Sequence, residues 1–105
     1  MANAAQERFA TEYGVDIDRV PVLTRLADEC ARMGEKECNG DPHPRNPEPT
    51  NKSESARLWG HARDVAAAEL LRYAERFGFV KVDFAGLRPC LRDKAGRYVE
   101  IPHAG

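Results

Sequence analysis

Long apolar runs are missing from this chain of 105 residues, whose mean hydropathy is −0.62. Nothing in it approaches the roughly 18 apolar residues of a membrane span, so no membrane contact is expected. The N-terminal MANAAQERFATEYG lacks a basic stretch followed by an apolar one, the mark of a secretory signal. A cytoplasmic protein is therefore expected. Charge of one sign is not in excess either: 16 Lys and Arg face 17 Asp and Glu, a net charge of −1. A dedicated non-specific nucleic-acid binder shows a basic surplus, because phosphate neutralisation supplies most of its affinity. The three cysteines, Cys30, Cys38 and Cys90, form no CxxC, which excludes a secreted disulfide scaffold and leaves reduced thiols. The eight glycines are scattered, so no glycine-rich loop can cradle a phosphate.

What is there suits one small domain spanning residues 1–105. Asn3 to Tyr13 reads as a short helix in which Phe9 and Tyr13 share a face and Gly14 offers a stop. A second helix is expected over 18–38, capped by Asp16 or Asp18, with Pro21 tolerated in its first turn. Its apolar stripe runs Val22, Leu23, Leu26, Ala27, Cys30, Met33. Gly34 is a place where it would loosen, and Asn39-Gly40 is its stop. Residues 39–52, NGDPHPRNPEPTNK, hold prolines at 42, 44, 47 and 49, which rule out a helix or a central strand. A stiff extended loop contributing little to a core is expected there. Ser53 then caps a long helix over 54–77, stopped by Gly78. Beyond Gly78 the period drops from 3.6 to 2. Strands are expected over 79–84, with Val80, Val82 and Phe84 on one face, over 87–92, and over 97–101. Pro89 demotes the middle one to an edge or to a short segment on either side, and Asp93-Lys94-Ala95-Gly96 makes a tight connection. The fold class expected is α+β: two to three helices packed on a small three-stranded antiparallel β-sheet.

Candidate chemistry is sparse. Cys38 and His43 carry metal-ligating atoms, but no pair has the short spacing of a zinc finger, and no metal or other cofactor is expected. No cysteine sits in a nucleophile motif, and His61 with Asp64 reads as a surface pair on a helix. The chain is expected not to be an enzyme. Binding is the better prospect. Trp59, His43 and Arg45 are the candidate protein contacts: the first, beside core-facing Leu58, sits in the core or at its boundary, or else is exposed as a large anchor, and the others are on the proline-rich loop with its Pro44–Pro47 PxxP. Charge is unevenly spread, with seven Lys and Arg against eleven Asp and Glu in residues 1–55, and nine against six thereafter. Arg57, Arg63, Arg72, Arg76, Arg88, Arg92, Lys94 and Arg97 lie in the basic half, with Trp59 or Tyr98 available to stack on bases. Arg88, Arg92, Lys94 and Arg97 are the alternative contacts, to nucleic acid. An uncovered sheet edge near Pro89 or the third strand would serve a homodimer.

Leu23-Thr24-Arg25-Leu26, Glu37-Cys38-Asn39-Gly40-Asp41 and Phe77-Gly78-Phe79-Val80, followed by a C-terminal hairpin, resemble in order a group of small bacteriophage and prophage proteins. The likeness spans residues 23–101 as a gapped series of short motifs. Gly86-Leu87-Arg88-Pro89 stands where that group carries a D-P-R-G turn, so any function of that turn does not transfer. The resemblance implies a mobile-element origin, the cytoplasm of a bacterial host and an α+β fold; it implies no common activity. The expected role is a non-catalytic accessory protein binding a host or phage macromolecule. One form is an inhibitor of a host defence complex, such as an anti-CRISPR protein. The alternative is a nucleic-acid-binding accessory factor.

Overall fold

Asn3 closes the first helix from both sides: its side chain accepts from the Gln6 amide at 2.8 Å, while its own amide donates to Gln6 Oε1 at 3.0 Å. That reciprocal box satisfies two of the donors every helix start leaves open. The structure, a computed structural model, describes residues 2–47 and 51–104; the Pro49 end of the proline-rich loop lies outside them. The first helix, α1, is Ala4–Tyr13, ended by Gly14 in the left-handed region. A 3-10 turn at Ile17–Arg19 leads into α2, Val20–Asn39. Neither Asp16 nor Asp18 caps it through a side chain; Pro21 sits in its first turn as expected. Gly34 does not end α2. It is buried within the helix, where Leu87 Cδ2 and Arg63 Cδ approach its missing Cβ position at 3.5 and 3.6 Å. The stop is Gly40, at φ 67°.

The third helix, α3, is Lys52–Ala74, and a 3-10 turn at Glu75–Phe77 carries the chain to Gly78. Its cap is Asn51, which accepts from the Glu54 amide, not Ser53. The two long helices form an antiparallel hairpin, and the strands fold back on its base. β1, Lys81–Phe84, β2, Pro89–Arg92, and β3, Tyr98–Val99, make an antiparallel meander in the order β1-β2-β3. The chain is thus α+β, with three helices and a three-stranded sheet. β2 is the central strand, which corrects the edge placement read from Pro89. The proline opens the strand opposite Phe84, at the end of the ladder, where a missing donor is tolerated.

Leu23, Ala27 and Cys30 of α2 are fully buried against Leu70 and Ala74 of α3, with Leu91, Val99 and Ile101 from the sheet side. Phe9, Tyr13 and Phe79 close the end of this core as an aromatic trio, with ring centroids 4.9 to 6.0 Å apart. The expected apolar face of β1 is only partly buried. Phe79, just ahead of the strand, takes the buried place; Val82 packs on the core, while Val80 and Phe84 remain exposed. Val65 of α3 is exposed as well.

Candidate binding surfaces

The far end of the helical hairpin holds the residues singled out as protein contacts. Trp59 is only 7% exposed. Its indole N–H donates to the Asp41 carbonyl at 3.0 Å, His43 meets its ring edge-on at 4.4 Å, and Lys36 Nζ lies 4.6 Å over it. The ring is committed to holding the loop against the two helices. His43 and Trp59 are therefore brought together, while Arg45 is exposed on a turn closed by the Asn46 amide donating to the His43 carbonyl at 2.8 Å. Asn46 Nδ2 adds bonds to the Asn51 carbonyl and to the hydroxyl of buried Ser55, at 2.9 and 3.1 Å. The described part of the proline-rich loop is thus folded onto α3, not merely extended. Proline at the turn's second position fixes φ there.

Most of the basic residues proposed for nucleic acid are already paired. Arg88 Nε reaches Asp28 at 3.0 Å, and its other nitrogens donate to the carbonyls of Ile101 and Pro102. Arg92 Nε lies 3.0 Å from Asp83, with its guanidinium 4.5 Å over the Tyr98 ring. Arg97 is held by Asp93 at 2.9 Å. Lys94 is exposed on the same hairpin. Of these four cations only Lys94 has no ion pair among the described residues. Cys38 and His43 join no group of three or more His, Cys, Asp or Glu suited to a metal ion among the described residues.

Two surfaces that local sequence does not single out emerge from the packing. One is a cavity of about 240 Å³ between Gly34, Arg63 and Asp64 on the helices and Phe84, Gly86 and Leu87 on the β1–β2 turn. Phe84 and Leu87, 43% and 45% exposed, form its apolar wall, and Arg63 stands 5.8 Å over the Phe84 ring while pairing with Glu37 at 2.6 Å. The other is a cavity of about 320 Å³ between α2 and α3, lined by Val22, Arg25, Leu26, Glu69, Arg72, Tyr73 and Arg76. Arg72 and Arg76 sit four apart on α3 and share a face. That spacing was visible in the sequence, whereas their meeting with Arg25, 47 positions from Arg72, follows only from the helix pairing.

No protein-family model, curated protein or solved structure matches this chain.

Proposed function

We propose that this is a non-catalytic accessory protein of a bacteriophage or prophage, acting in the bacterial cytoplasm by binding a macromolecule, in the first instance a protein. The narrower form of this reading is an inhibitor of a host defence complex. The observation that supports protein binding is the exposed apolar wall at β1 and its turn. Val80, Phe84 and Leu87 are 50%, 43% and 45% exposed, and β1 is a terminal strand of the sheet. Unpaired strand edges bordered by apolar side chains are where a partner adds an extended segment, with main-chain bonds for affinity and pockets for specificity. The cavity beside Phe84 and Leu87 supplies such a pocket. Nucleic acid as first partner is less well supported, since Arg88, Arg92 and Arg97 of the hairpin already hold carboxylates.

Affinity purification from a nuclease-treated host lysate tests this, with Phe84→Asp/Leu87→Asp as the matched variant. Each buried apolar side chain contributes about 1.5–3 kcal/mol, so losing both should weaken capture by about a hundredfold or more. Both residues are exposed, and circular dichroism of the variant should match the parent. A partner that disappears with nuclease, or is retained equally by the variant, contradicts the proposal.

A further inference from the structure

We propose that the cavity between α2 and α3 binds the phosphate monoester of a nucleotide, held by Arg25, Arg72 and Arg76. Six of the twelve arginines, Arg32, Arg57, Arg63, Arg88, Arg92 and Arg97, each hold a carboxylate, and three of the other six line one place. Arg25, Arg72 and Arg76 line one cavity, and none forms an ion pair among the described residues, although the chain carries 17 carboxylates. Three guanidiniums lining one cavity present a positive surface to an anion that enters it. Glu69, the one carboxylate in the lining, leaves the group at a net +2. A phosphate monoester, a dianion near neutral pH, balances that charge, whereas a phosphodiester carries half as much.

The rest of the lining fits the remainder of such a ligand. Guanidiniums are planar forks that pair two N–H groups with two phosphate oxygens. Arg76 is steadied by the Tyr73 ring, 5.1 Å from its central carbon. The Tyr73 hydroxyl is shielded from solvent and has no hydrogen-bond partner among the described residues. Val22, Leu26 and the Tyr73 ring give an apolar floor suited to a nucleobase more than to a polyol. A volume of about 320 Å³ falls in the range of small-ligand sites. This cavity is distinct from the one beside Phe84. Arg63 and Arg72 lie nine residues apart, half a turn beyond whole turns, so the two cavities occupy opposite flanks of α3.

Isothermal titration with adenosine 5′-monophosphate, inorganic phosphate and adenosine, at low salt, tests the site. The monophosphate should bind one per chain, inorganic phosphate more weakly, and adenosine at least about a hundredfold more weakly. Arg72→Ala and Arg76→Ala should each cost about tenfold or more, Tyr73→Phe a smaller factor, and Arg57→Ala nothing. All these arginines are exposed, so folding of the variants is checked independently by circular dichroism. A single-stranded oligonucleotide with a 5′-phosphate should compete, and the same strand without it should not. Equal competition by both strands, equal binding of adenosine and its monophosphate, insensitivity to both arginine variants, or no binding of the monophosphate would each overturn the proposal. The outcome is independent of the Phe84/Leu87 surface, whose variant should leave the titration unchanged.

Discussion

Arg88 acts as a clasp rather than as a surface charge. Its side chain is 18% exposed, and its three nitrogens serve Asp28 on α2 and the carbonyls of Ile101 and Pro102. The buried Thr24 hydroxyl donates to the same Pro102 carbonyl at 2.8 Å, across 78 positions of sequence. Charge-assisted bonds of this kind contribute about 1.5–3 kcal/mol, so Arg88→Ala should lower stability by about that amount in urea unfolding. Arg88→Lys should recover little, because an ammonium cannot reproduce the fork. Thr24→Val leaves Pro102 bonded to Arg88 and should cost less, about 1 kcal/mol. The double variant should cost more than the sum of the singles, since only then is the carbonyl orphaned. Simple additivity would show that the carbonyl is not shared. Nothing local in the sequence distinguishes Arg88 from Arg92 or Arg97; its partners lie 60 and about 14 positions away, which is why a charge reading grouped the three. Cysteine chemistry is set by burial in the same way. Burial, reinforced by nearby Glu29, pushes the Cys30 thiol up to about 11, from a model-peptide value of 9.0. The proton is therefore held more tightly in the folded state. Stability from this site is intact below about pH 9 and is lost as pH rises toward 11. At pH 8 a thiol reagent should label exposed Cys38 first and Cys30 only as the chain unfolds. Prompt labelling of Cys30 in native buffer would contradict its burial.

Helix and strand identity follow from local patterns here, whereas faces and boundaries depend on what each element meets. Gly14, Gly40 and Gly78 stop their helices as their positions imply, each in the left-handed region where a Cβ is strained. Starts are less legible: Asn51 and Ser53 are both good caps, and the choice falls to Asn51, whose carbonyl also accepts from Asn46. The apolar alternation of β1 predicts one buried face, yet only Val82 is packed against the core. Asp93 is the most self-contained element device. Its carboxylate accepts from the amides of Ala95 and Arg97, and from Arg97 Nε, all at 2.9 Å. The Arg97 amide, first among these bonds, holds the carboxyl below its usual 3.8. A lowered folded-state pKa means stability present above the unfolded value and lost as pH falls through the folded one. Acidification below about pH 4 should therefore loosen the β2–β3 turn, read as a lower protection factor of the Gly96 amide, which donates to the Asp93 carbonyl at 3.0 Å. Asp93→Asn should show weaker protection at neutral pH and no such acid step. An acid step retained in that variant would assign the effect to another carboxylate.

At the scale of the whole molecule, the shape is long for its size. The radius of gyration is 15.2 Å and the extents are 49 × 29 × 19 Å, against about 13 Å expected for a compact chain of this length. Helices of 20 and 23 residues reach about 30 and 34 Å, while the sheet and α1 cover only the base of the hairpin. The contiguous core runs from Phe9 to Ile101 without Leu58 or Trp59, which are buried apart from it at the far end. Helical periodicity identified both helices, but it could not show that one half of the pair would be roofed by a sheet and the other by a loop. Stability should accordingly be graded along the hairpin. The far end depends on Trp59, the Asp41 carbonyl, His43 and the Asn46–Ser55 bonds, a few part-buried contacts outside the main core, of the kind that open below the global free energy. Trp59 is the only tryptophan, so its fluorescence reports that end alone, whereas helical circular dichroism is dominated by both helices along their whole length. Urea unfolding should therefore show the fluorescence change completing at lower denaturant than the dichroism change, a departure from two-state behaviour. Amides near Trp59 should exchange faster than those around Leu70, and His43→Ala should move the fluorescence midpoint down while leaving the later transition in place. Coincident transitions by both probes, in the parent and in His43→Ala, would mean that the loop end and the sheet-covered base fold as one cooperative unit despite their separation.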